Sequence, residues 1–231
     1  WNCQTAPLVS GGAISGVGLG VNVNNFEGYP SAGSNAGNTF ATIDGVTVTG
    51  ATIAGIRIND NPLNTNGATV SAEVKGNTTV TGSPVGILVS GSGATGNVHN
   101  NLLSIHGNAI GIDVDGGAAT VNNNHIYDNG IGVRFTNDGT GNVNTNKFFD
   151  ALKNGVDIQR TATADAGSVV ASPDNWLAGT TYGLENQSTV SVNASLNYWN
   201  DPSGPGAIAA GAGAKVTTNV IYCPWLDDEP V

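Results

Sequence analysis

A five-residue pattern, apolar–Gly–apolar–x–apolar, recurs along the chain as AGIRI (54–58), VGILV (85–89), IGIDV (110–114), IGVRF (131–135) and NGVDI (154–158), with a weaker copy, YGLEN, at 182–186. Its glycines, Gly55, Gly86, Gly111, Gly132, Gly155 and Gly183, are separated by 31, 25, 21, 23 and 28 residues. An imperfect period in the twenties is what a coil of short strands produces when one loop per turn is free in length. In each copy the apolar residues on either side of x share one face of a strand, and x takes the other. A single turn cannot enclose a core. Turns stacked about 4.8 Å apart bury the inward residues as columns, which predicts one column through Ile56/Ile58, Ile87/Val89, Ile112/Val114, Val133/Phe135 and Val156/Ile158.

A second series, Val98-x-x-Asn101, Val121-x-x-Asn124, Val143-x-x-Asn146 and Val190-x-x-Asn193, is spaced by 23, 22 and 47 residues, with 168–176 as the irregular turn between the last two. A side-chain amide offers two donors and an acceptor, so stacked asparagines can satisfy turn backbone in neighbouring coils. This predicts an Asn ladder through Asn101, Asn124, Asn146 and Asn193; the alternative is that Asn only tolerates the left-handed backbone of a bend. With 34 Gly and 30 Asn, the chain has no dozen-residue stretch at helical spacing that is free of Gly. Charged residues are only 10%, yet 39% hydrophobic residues suffice for a core, which argues against disorder. The fold class expected is therefore all-β, a single-stranded parallel β-helix. Residues 41–197 are its repeats, residues 1–40 an N-terminal cap with the first irregular coils, and residues 198–231 a C-terminal cap, all in one domain.

The GI-x-V and V-x-x-N-x-apolar repeats, seen together in TVNNNHIYDNGIGVRF (120–135), resemble the right-handed parallel β-helix repeats of the pectate-lyase-like superfamily. The ending LNYWNDPSGPG…NVIYCPWLDDEP (196–230) is similar to the closing segment of such repeats in large bacterial surface proteins. The resemblance covers residues 40–230. It implies a right-handed coil and an exported, cell-surface setting, with other copies or neighbouring domains of a larger surface protein as partners.

Trp1, Phe26, Tyr29, Trp199 and Trp225 lie in the segments that break the repeat and are read as plugs for the open ends, with sugar-stacking platforms as the alternative. Cys3 and Cys223 are the two cysteines. A bridge needs Cα atoms within about 7 Å, whereas a simple stack separates the termini, so an intrachain bond, an interchain bond and no bond all stand open. Seven Lys and Arg against seventeen Asp and Glu give a net charge of −10, which repels phosphate backbones and argues against nucleic-acid partners. No apolar run approaches the roughly 18 residues of a membrane span, so no membrane insertion is expected. The chain opens at Trp1 without Met and is read as a mature piece or an excised domain.

Enzymes on this fold work with outward side chains, which at x are Arg57, Leu88, Asp113, Arg134, Asp157 and Glu185. Arg134 falls between Asp113 and Asp157, with Asp115 next along the strand. As an active site, Asp113 and Asp157 would offer carboxylates for calcium or proton transfer and Arg134 would bind or deprotonate a uronate. As structure they form a surface ladder of alternating charge, each exposed pair contributing ~0–1 kcal/mol. Arg57, Asp113, Asp115, Arg134 and Asp157 are the candidates for a carbohydrate or partner face. The turns DVDGG (113–117) and NDGTGN (137–142) are ordinary Asx–Gly turns that also offer a calcium reading, with Asp113 and Asp115 as ligands; no other cofactor is expected. His99, His106 and His125 do not align to one column, which disfavours zinc. The sequons at Asn77, Asn186 and Asn193 are what chance supplies in so Asn- and Thr-rich a chain. Thr47/Thr49 and Thr79/Thr81 resemble an ice-binding face but do not repeat in every coil. The leading expectation is a non-catalytic extracellular structural or adhesive module. The second is a carbohydrate-binding or polysaccharide-degrading β-helix.

Overall fold

The computed structural model describes residues 7–25, 38–62, 67–76, 78–102, 104–149, 151, 153–159 and 169–230. Every strand pairing in the three sheets is parallel, and neighbours in a sheet are one coil apart in sequence except at the C-terminal end of the third sheet, where Pro205–Ala207 pairs with Gly213–Val216. One coil runs Ala94–His99 in the first sheet, Ile105–His106 in the second and Ile110–Asp115 in the third. The next repeats this order as Ala118–Asn122, His125–Tyr127 and Ile131–Thr136. Among the described residues the first and third sheets have nine strands each and the second has six. The molecule is an all-β parallel β-helix, and nine strands at about 4.8 Å span roughly 38 Å. The first coil is complete before residue 40, with strands Leu8–Ser10, Ala13–Ser15 and Leu19–Asn24.

The core is a set of columns. In the third sheet Ile56, Ile87, Ile112, Val133, Val156 and Leu184 stack in register, beside Ile58, Val89, Val114, Phe135 and Ile158. All of them are fully buried. Facing them are Val74, Val98, Val121 and Val143 of the first sheet and Val80, Ile105, Ile126 and Phe148 of the second.

Buried asparagines line the corner between the first and second sheets. Asn124 Nδ2 donates to the carbonyls of Val98 (2.9 Å) and Asn122 (3.0 Å) and to Oδ1 of Asn146 (3.0 Å). Its Oδ1 accepts from the backbone N–H and the side-chain amide of Asn101. The ladder continues through Asn175 and Asn197, and Asn193 does not belong to it. Asn193 is exposed and accepts from the N–H and hydroxyl of Ser195, while Val190 is 40% exposed. The last two rungs instead follow the buried Ala171 and Ala194. A second ladder, unforeseen from the sequence, holds the next corner: Asn108 Oδ1 accepts from Ser83 N–H, and Asn129 Oδ1 accepts from Asn108 N–H, both at 3.0 Å.

Of the end aromatics, Trp199 is fully buried and Trp225 is 38% exposed. Trp1, Phe26 and Tyr29 lie outside the described residues. Cys223 is exposed and has no disulfide partner among the described residues; Cys3 lies outside them.

Candidate functional site

The outward side of the third sheet carries two side-chain columns, because residues two apart on a strand point the same way. One reads Arg57, Leu88, Asp113, Arg134, Asp157, Glu185; the other reads Asn59, Ser90, Asp115, Thr136, Gln159. Arg134 thus has Asp113 on one side and Asp157 on the other. Arg57 stands apart behind Leu88 and donates Nη2 to Asn59 Oδ1 at 2.8 Å.

The two aspartates are not surface groups, contrary to the reading of an exposed ladder: Asp113 is 4% exposed and Asp157 1%. Arg134 grips Asp113 with both arms, Nε to Oδ1 at 3.0 Å and Nη2 to Oδ2 at 2.6 Å, the planar fork that Arg presents to a carboxylate. This hydrogen bonding raises the guanidinium further above its ordinary value. Asp157 receives only Gln159 Nε2, on Oδ2 at 2.6 Å, and its Oδ1 is buried without a partner among the described residues. Burial, with the negative charge of Glu185 adding to it and the Gln159 bond opposing it, pushes its carboxyl up to about 6. Asn154 Nδ2 occupies Glu185 Oε2 at 2.7 Å.

Beside these columns lies an open groove of about 480 Å³ lined by Asp113, Asp115, Arg134, Thr136, Asn137, Gln159 and Gln187. The described connections from third to first sheet beside it, residues 91–93, 116–117 and 137–139, are short turns. Thr136, Gln159 and Gln187 went unnoticed in the sequence, although each stands two residues after an x position and so shares the register of Asp115; Asn137 entered only as part of the turn 137–142.

The chemistry open to this cluster is limited. A base must release its proton near the working pH, and Asp113 holds that of Arg134 in place. Both oxygens of Asp113 are engaged by Arg134, and Asp115 Oδ1 accepts from Asn137 Nδ2 at 2.6 Å, so the calcium reading loses its paired carboxylate. Among the described residues no group of three or more His, Cys, Asp or Glu is placed to hold a metal. His99 is on the first sheet, 2.9 Å from Glu73, whereas His106 stacks on Tyr127 at 4.8 Å in the second. Thr47 and Thr79 do share a column, as do Thr49 and Thr81, but His106 and Tyr127 end the array after those two coils.

No protein-family model, curated protein or solved structure matches the chain. The class shown is that of the fold, a parallel β-helix with one charged column on its third sheet.

Proposed function

We propose that the chain is a non-catalytic structural or adhesive module of an exported surface protein or assembly, a rigid β-helical rod that holds other copies or neighbouring domains at fixed spacing. The resemblance of its repeats and closing segment to the right-handed pectate-lyase-like modules of bacterial surface proteins supports the setting. The observation that carries the reading is the bidentate Asp113–Arg134 pair, at 3.0 and 2.6 Å. It commits to the fold the arginine flanked by Asp113 and Asp157, which a uronate-cleaving site at these carboxylates would need free. Incubation with polyuronates, with and without calcium, is expected to yield no unsaturated, ultraviolet-absorbing product from either the native chain or Arg134→Ala. A product made by the native chain and lost in the variant overturns the proposal.

A second reading, a non-cleaving glycan-binding face, rests on the amide- and hydroxyl-lined groove at Thr136, Gln159 and Gln187. Retention on immobilised neutral or acidic glycans that Gln159→Ala abolishes would favour it.

A further inference from the structure

Along the outward column, Asp113, Asp157 and Glu185 are interrupted by one arginine, Arg134, with Arg57 set apart beyond Leu88, and Arg134 gives both arms to Asp113. Among the described residues, Asp157 has one hydrogen-bond donor, the Gln159 amide, and one buried oxygen without a partner. The charged groups around it, among the described residues, are Arg134 on the preceding strand, with Asp113 beyond, and Glu185 on the following one; its own strand supplies the neutral Asn154 and Gln159. An ionised carboxylate in such a place is poorly hydrated and has only an arginine already committed to Asp113 to offset it, whereas its protonated form needs neither hydration nor a counter-ion.

We propose that the Asp157–Glu185 pair is a proton-binding site through which mild acidification tightens the stacking of strand Asn154–Gln159 on strand Tyr182–Asn186. This goes beyond the structural reading above and does not depend on it. No other reactant is involved: the proton comes from solvent and adds to a carboxylate oxygen of Asp157, neutralising it beside Glu185. The rise of the Asp157 carboxyl to about 6, from an ordinary 3.8, sets the window. Between those values the folded chain keeps a proton that the unfolded chain has released, so stability falls as pH rises through the window and stays low above it. Acidification from neutral pH reverses this.

The test compares the intact chain with Asp157→Asn and Glu185→Gln. On going from pH 7 to pH 5 the unfolding midpoint of the native chain should rise by roughly 2–4 °C more than that of Asp157→Asn, which removes the general effect of titrating a chain of charge −10. Carboxyl carbon resonances should show one aspartate titrating near 6. That titration should be missing in Asp157→Asn and move to lower pH in Glu185→Gln. Should Asp157→Asn fail to fold, the resonances of the native chain and of Glu185→Gln decide. The absence of any aspartate titrating above the ordinary range, or equal pH dependence in native chain and Asp157→Asn, overturns the proposal.

Discussion

At the corner between the first and second sheets, successive coils place one residue in the left-handed region just before each ladder asparagine: Asn100, Asn123, Thr145, Asp174 and Leu196, with φ from 52° to 58°. Asn and Asp tolerate that conformation, whereas a β-branched residue does not. Thr145 recovers some of the cost by donating to the carbonyl of Asn144 at 2.7 Å and accepting from Asn123 N–H at 3.2 Å. Thr145→Asn supplies the residue type already present at Asn100 and Asn123, whose amides bond across the corner at 2.7 Å. It should stabilise the fold by about 0.5–1 kcal/mol, seen as a higher urea midpoint with an unchanged slope. This corner also shows what single residues disclosed. Asn101, Asn124 and Asn146 are legible from a spacing near the coil length. Asn175 and Asn197 are not, since 160–168 lengthens one coil and alanines replace the valines that mark the others. The burial of Asp113 and Asp157 was equally hidden, because an outward position on a strand reads as solvent-facing in the sequence.

Within a strand, the recurring glycine has a different role from the glycines of the turns. Gly132 sits in strand Ile131–Thr136, and a Cβ there would lie 2.6 Å from Phe148 Cδ1 and 2.5 Å from the carbonyl oxygen of Gly155. Side chains of the short second sheet press directly on the third-sheet backbone at this column. The sequence displays the periodicity of these glycines but not its cause, which lies in a neighbour some sixteen residues on, at Phe148. Gly132→Ala must displace Phe148 or push apart the stacked strands that meet there. It should cost about 1–3 kcal/mol, measured as a lowered midpoint in denaturant. Gly12→Ala is the contrast, since nothing lies within 4 Å of a Cβ there and only its φ of +81° opposes the change; it should cost less and leave the packing of Phe148 untouched.

Over the whole molecule, contacts run almost entirely between adjacent coils, so stability approximates a sum of coil and interface terms. The fold class was legible for this reason: each coil repeats one binary pattern, and the pattern need be recognised only once. The site was legible only as far as register extends, to the order Asp113, Arg134, Asp157, and not to the groove beside them. The same modularity predicts the outcome of removing a coil. Ala118 and Thr95 are register partners, and both follow Ser71 in the same column of the first sheet. Deleting residues 95–117 therefore joins Ala94 to Ala118 and lets Ala118 stack where Thr95 stood. The Asn ladder closes again, because Thr78 N–H, which now bonds Asn101 Oδ1 at 3.0 Å, meets Asn124 instead. Arg134 loses Asp113 and stacks on Leu88, leaving its charge to solvent and to Asp157. The shortened chain should keep a strand-rich circular dichroism spectrum and one cooperative transition, with its maximum dimension in X-ray scattering reduced by about 4.8 Å. Deleting only residues 105–117 removes the second- and third-sheet strands of that coil without restoring register. It should abolish the transition; a cooperative fold from that half-coil deletion would mean that the coils are not the stacking unit.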